Sequence, residues 1–153
     1  MKLQSMTKHL HFATEEFQNR ERRAVSALEV AGHDAVLLFK QENMYWLTGY
    51  DTFGFVYFQC LVLTADGRKA LLTRAPDRLQ AHFTSTIEDV RVWVDGRDED
   101  PVGALLSLLR DMGLAGKRLG VEWNAYGLPA ALGFVLRERL ATFAPAADVS
   151  GVI

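Results

Sequence analysis

The stretch from Glu42 to Leu63 constrains this chain more than any other, because it gathers seven of the sixteen Phe, Tyr and Trp residues into positions 45–58. Met44 to Leu47 reads as a short apolar turn closed by Thr48-Gly49, and a long strand is expected from Phe53 onward. Alternation on that strand places Phe53, Phe55, Tyr57 and Gln59 on one face and Val56, Phe58, Cys60 and Val62 on the other. The second set runs into the wholly apolar Leu61-Val62-Leu63, as in a central buried strand. The first set is unusual, since three large rings present about 450 Å² or more. That is close to the largest apolar patch a soluble monomer normally shows. Such a face needs a cover, which is either a helix of the same domain or a partner subunit, another domain or a substrate.

The remaining composition narrows the class. A chain of 153 residues that is 49 % hydrophobic and 24 % charged is one ordinary globular domain. A net charge of −2 gives no basic footprint for nucleic acid and no polybasic surface for acidic lipid. Asp51, Gly49, Gly54 and Gln59 break the longest apolar run, so no membrane span is expected. One cysteine excludes an intrachain disulfide, and no signal-peptide core follows Met1. The expected location is therefore cytoplasmic.

Residues 1–13 are polar and aperiodic and read as a solvated N-terminal arm, with the domain itself spanning residues 14–153. Thr14 reads as an N-cap. Phe17, Ala24, Leu28 and Ala31 form an apolar stripe opposite a solvated charge run of Arg20, Glu21, Arg22 and Arg23. Asp34–Phe39 is a short buried strand, and Asp66-Gly67 turns a hairpin that returns through Lys69–Arg74. Pro76 and Asp77 open a short helix. Val90–Val94 alternates as a strand, and Asp100 caps a helix begun by Pro101. Arg118–Trp123 is a further strand, Pro129 starts the last full helix, and Thr142–Ala147 is an edge strand because Pro145 cannot donate. Asp148 resembles the cap of another helix. The predicted fold class is α/β, a mixed six-stranded sheet with helices on both faces.

The order of elements, with Asn43-Met44-Tyr45-Trp46-Leu47-Thr48-Gly49-Tyr50-Asp51, resembles the N-terminal domain of the creatinase/prolidase/aminopeptidase P metallohydrolases. The hairpin of Leu61–Arg74, Gly120-Val121-Glu122 and Leu128-Pro129 add to the likeness, which runs from about Phe17 to Ile153. The resemblance implies a ribonuclease H-like motif in a domain that does no chemistry itself. It also implies a separate C-terminal catalytic domain, absent from these residues, holding two divalent metals such as Mn, Co or Zn. The implied partners are that domain and a second identical subunit, and the implied substrate is an Xaa-Pro peptide or another small amide. Asp51, Phe53, Phe55 and Tyr57 are then the residues expected to shape the partner's substrate pocket. Phe55 and Tyr57 match places where creatinase sets a Phe and an Arg against its substrate's carboxylate, so Tyr57 lacks the cation and creatine is not the expected substrate.

The chain offers little chemistry of its own. Asp66/Asp77 and Asp100/Asp111 each have ten residues between them, a spacing that ten aspartates produce by coincidence. Cys60 reads as a packed thiol, His82 as a surface or interface imidazole, and Glu122 as a buried carboxylate bound to a helix N-terminus or a cation. A nuclease site would need carboxylates in the middle of the first strand, where Val36-Leu37-Leu38 stands instead. Neither catalytic residues nor a cofactor are expected in this chain. The alternative is a free-standing α/β small-molecule-binding or dimerisation module.

Overall fold

The strand Ala35–Leu38 (β1) is buried at every residue, and the sheet grows outward from it on both sides. It pairs antiparallel with Cys60–Thr64 (β2) and parallel with Leu119–Val121 (β5). Strand β2 pairs antiparallel with Lys69–Arg74 (β3), which runs parallel to Asp89–Trp93 (β4). Ala146–Asp148 (β6) lies parallel to β5 at the far edge, giving the order β4-β3-β2-β1-β5-β6. These relations hold for residues 7–153, which the computed structural model describes. The expected fold class is the one observed.

Both faces of the central strands carry helices, which is why β1 and β2 read as unbroken apolar runs. Ala35, Leu37, Cys60 and Val62 pack beneath Pro101–Asp111 (α4) and Ala130–Ala141 (α5). Val36, Leu38, Leu61 and Leu63 pack beneath Thr14–Ala31 (α1), Gln41–Thr48 (α2) and Arg78–Thr84 (α3). Asp100 caps α4 through Gly103 N at 2.9 Å and holds Arg139 of α5, as its place before Pro101 predicts.

Several expectations need correction. The strand expected from Phe53 begins only at Cys60, and residues 53–58 form a turn-rich loop. Val56 is accordingly exposed rather than core, whereas Gln59 is buried. The apolar turn at Met44–Leu47 is part of α2, a full helix. Thr14 is the first helical residue and does not cap; Ala13 precedes the helix with no side-chain bond. Arg20 is not solvated, because its guanidinium donates to Trp46 O at 3.0 Å and lies over the Phe12 ring at 4.3 Å. Glu21 binds Lys69. The arm reading for residues 1–6 lies outside the described residues. From residue 7 the segment is exposed yet attached: His9 N donates to Phe83 O at 2.7 Å, and His11 meets the Tyr45 hydroxyl at 2.7 Å. Asp148 ends β6 and accepts from Ser150 N in a turn, not a helix.

Glu122 joins the sheet to α2. Its carboxylate accepts from Phe39 N at 2.9 Å, from Lys40 N at 2.8 Å and from the Asn43 amide. A carboxylate at a helix start meets both the unpaired N–H groups and the positive end of the dipole. Replacing Glu122 with Ala leaves three donors unsatisfied in a buried place. Urea unfolding should show a loss of about 2–4 kcal/mol for Glu122→Ala and a smaller loss for Glu122→Gln, which retains an acceptor. Equal losses for the two variants would contradict this role.

Candidate functional site

The register places the ends of β1, β3, β4 and β5, together with the start of β2, at one end of the sheet. Ligands in open α/β sheets favour the carboxyl ends of parallel strands. The loop of residues 49–59 covers this end. Its backbone leaves α2 at Gly49 and returns at Cys60, so the loop's position depends on both elements.

Polar side chains underneath fix its course. The Tyr50 ring is fully buried; its hydroxyl donates to Gln59 Oε1 at 2.9 Å and contacts Thr73 Oγ1 at 2.9 Å. Burial pushes this phenol up to about 12, so it stays protonated and able to donate. Gln59 donates onward to Gln41 Oε1 at 2.9 Å, and Gln41 donates to Tyr50 O at 2.7 Å. Thr52 donates to Asp77 Oδ1 at 2.6 Å and accepts from Gly54 N at 2.9 Å. Trp93 Nε1 donates to Phe58 O at 2.8 Å and ties the return limb to β4. The chain therefore abandons the strand pattern at residues 53–58 because these long-range bonds fold it back. The alternation of rings with small residues is a loop pattern here, not a pleat.

Two glycines permit the close packing. A Cβ at Gly54 would stand 2.3 Å from Asp77 Oδ2, and one at Gly127 would stand 2.8 Å from Phe55 O and 3.1 Å from Phe39 O. Gly127 lets the segment between β5 and α5 pass directly against the loop. That segment contributes Tyr126, whose ring meets Phe55 edge-on at 5.9 Å and whose hydroxyl donates to Glu42 at 2.9 Å. Partial burial and the bond to Glu42 push the Tyr126 phenol up to about 12.

The result is an aromatic surface turned outward. Phe53 is 88 % exposed, Phe55 41 %, Tyr57 43 % and Tyr126 52 %. The rings expected on a sheet face stand on a loop instead, with Phe55 against Tyr126 and Tyr57 over Arg74, and no helix of the described chain seals them. Arg74 lies beneath Tyr57, its guanidinium carbon 3.6 Å from the ring centroid, between Asp77 at 3.8 Å and Asp95 at 3.7 Å. Asp51 is exposed and only its backbone is anchored, through N–H to Thr84 Oγ1 at 3.0 Å. Sequence reasoning missed Tyr126 and the stacking of Arg74. The signal available for Tyr126 was a lone exposed aromatic beside a glycine, which gains meaning only once Gly127 is seen under Phe55 O.

The other candidates stand apart from this surface. Cys60 is fully buried, and burial pushes its thiol well above the usual range, so it is a packing residue. Asp66 is held by Arg68, Asp111 by Arg91, Asp100 by Arg139, and Asp77 by Thr52 beside Arg74. Among the described residues no three His, Cys, Asp or Glu side chains gather as a metal would require. These four aspartates are thus bound by cations or hydroxyls. No described helix is long and apolar enough to cross a membrane.

The contact between Gly54 and Asp77 generates a direct test. Gly54→Ala should cost about 1–3 kcal/mol by overpacking. In an Asp77→Ala background the cost should shrink by at least about 1 kcal/mol, because the clashing group is gone. Thermal melts of the four proteins measure this coupling, and additive losses would show that the two residues do not meet.

A family model described as creatinase/prolidase N-terminal domain matches residues 20–153. The chain is 28 % identical over 137 residues to ectoine hydrolase of Halomonas elongata, covering 84 % of this chain and 34 % of that protein. It is 27 % identical over 124 residues to an uncharacterised hydrolase/peptidase, y4tM, of Sinorhizobium fredii, covering 76 % and 32 %. The chain thus spans about a third of the length of these curated relatives. Among solved structures, a prolidase from Thermococcus sibiricus superposes with a TM-score of 0.71 at 17 % identity, covering 92 % of this chain and 36 % of that one. The N-terminal domain of the cytoplasmic peptidase PepQ from Mycobacterium tuberculosis gives 0.65 at 20 %, covering 88 % and 95 %. These two structures share the fold, and the match over residues 20–153 places the chain in the creatinase/prolidase N-terminal domain family.

Proposed function

We infer that this chain acts as the non-catalytic N-terminal domain of a hydrolase of this family, serving to join subunits and to shape the neighbouring subunit's substrate pocket. The observation that carries the reading is the outward exposure of Phe53, Phe55 and Tyr57 on a loop tied by hydrogen bonds at the carboxyl end of the sheet. Three partly exposed rings on a fixed loop fit the buried centre of an interface, where aromatic anchors dominate binding. Anchoring by these hydrogen bonds favours this use, since less conformational entropy is lost when the loop is covered. Asp51 and the Tyr57 hydroxyl supply polar contacts at the rim.

The relatives carry the names ectoine hydrolase, Xaa-Pro dipeptidase and prolidase, all hydrolases. The reading gives the present chain a part in the same class of reaction, with two divalent metals held by a catalytic domain outside residues 1–153. The role of its own residues is to bind and orient, to exclude water from a neighbouring pocket and to set which substrates fit.

Phe55→Asp puts a charge in the middle of the rings without touching the core. In a full-length enzyme carrying this domain, the substitution should weaken dimerisation or raise KM by about tenfold, with circular dichroism of the domain unchanged. Sedimentation and steady-state kinetics measure both. Unchanged oligomer size and unchanged kinetics would reject the role.

A further inference from the structure

Helices α1 and α2 each close on a glycine in the left-handed region, Gly32 and Gly49. Helix α3 has no such residue: its end is marked by Ser85 in extended backbone. Its last carbonyl groups therefore need partners from elsewhere. The segment before α1 supplies them. His9 N–H donates to Phe83 O at 2.7 Å, and the Lys8 ammonium donates to Ser85 O at 2.9 Å. The same short stretch, residues 83–86, also holds the departure of the aromatic loop. Asp51 N–H donates to Thr84 Oγ1 at 3.0 Å, and Thr86 N–H donates to Thr48 O at 2.9 Å. A Cβ at Gly49 would stand 2.7 Å from Thr84 O.

The segment also grips α2 directly. His11 Nδ1 lies 2.7 Å from the Tyr45 hydroxyl, and the Phe12 ring meets Tyr45 at 6.3 Å and Phe17 at 5.9 Å. Phe17 in turn packs against Gly49, where a Cβ would stand 3.0 Å from its ring. Yet none of residues 8–12 joins either buried core, and Phe12 is 40 % exposed. A segment held by a few surface contacts opens locally, at a small fraction of the cost of unfolding the sheet. We propose that residues 8–12 are a latch on the aromatic loop. Docked, they cap α3 and hold the start of the loop through its last turn. Released, they free that turn and the loop while the sheet stays folded. The inference goes beyond the reading above, since it holds whatever covers the rings.

Amide hydrogen exchange of the 153-residue chain, followed in nitrogen-15 spectra, tests the latch. A Lys8→Ala/Phe12→Ala variant removes two side-chain holds without touching the core, and His9→Pro removes the backbone donor to Phe83 O. Each should speed exchange at the Asp51 and Thr86 amides about tenfold, the scale of one lost hydrogen bond, with the amides of β1 and β2 unchanged. Thr84→Val opens the Asp51 amide from the loop side by removing its acceptor, while His9 N–H stays protected. Adding Lys8→Ala/Phe12→Ala to Thr84→Val should then speed Asp51 by less than about twofold more, because coupled residues do not add. Unchanged exchange at Asp51 and Thr86 in both variants of the segment would overturn the proposal. So would an equal rise throughout β1 and β2, which is general destabilisation, or a full additive rise at Asp51 in the combined variant, which is two independent effects.

Discussion

The Glu122 carboxylate is the interaction on which the arrangement depends. It reaches from the end of β5 to the N–H groups of Phe39 and Lys40 and to the Asn43 side chain, where the chain leaves β1 and enters α2. A carboxylate buried in a sheet is costly unless every oxygen finds donors. Here it has three donors, and in return it fixes where α2 starts relative to the strands. Because the aromatic loop begins directly after α2, the orientation of that helix sets the loop's point of departure.

From that start the loop is shaped by polar bonds beneath it and left apolar above. Thr52 bonds Asp77, and separately Tyr50 bonds Gln59 and Thr73, while Phe53, Phe55 and Tyr57 stay partly or largely exposed. This reverses the usual order of a surface loop. A loop held only by exposed side chains would let the rings collapse onto the nearest apolar cover. Buried hydrogen bonds to the strands oppose that, so the rings remain exposed. Arg74 contributes in the same sense: by stacking under Tyr57 it supports the ring and compensates two nearby carboxylates.

Much of the fold was legible in the sequence. Continuous apolar runs at residues 35–38 and 60–64 marked strands covered on both faces, Asp66-Gly67 marked the hairpin, and Asp100-Pro101 marked a capped helix start. The position of Glu122 inside an apolar strand also announced a bound carboxylate. The loop was not legible as a loop. Rings at 53, 55 and 57 followed by Gln59 copy the period of a pleated strand, and the residues that bend the chain away, Asp77 and Trp93, lie far along the sequence. Charge patterning misled in the same way at Arg20, where four consecutive charged residues suggested a solvated face. Their first member instead packs on Phe12 and bonds Trp46 O, because the segment before α1 lies across it.

The central claim is that the ring surface meets another chain. It is tested most directly by placing a photoreactive benzoylphenylalanine at Phe53, the most exposed ring, in a full-length protein carrying this domain. A second probe at Val30, exposed on α1, serves as the control. On irradiation the account predicts intermolecular crosslinks from position 53, mapped to a second subunit, and few or none from position 30. Crosslinks from position 53 confined to its own chain, or equal intermolecular yields from both positions, would contradict it.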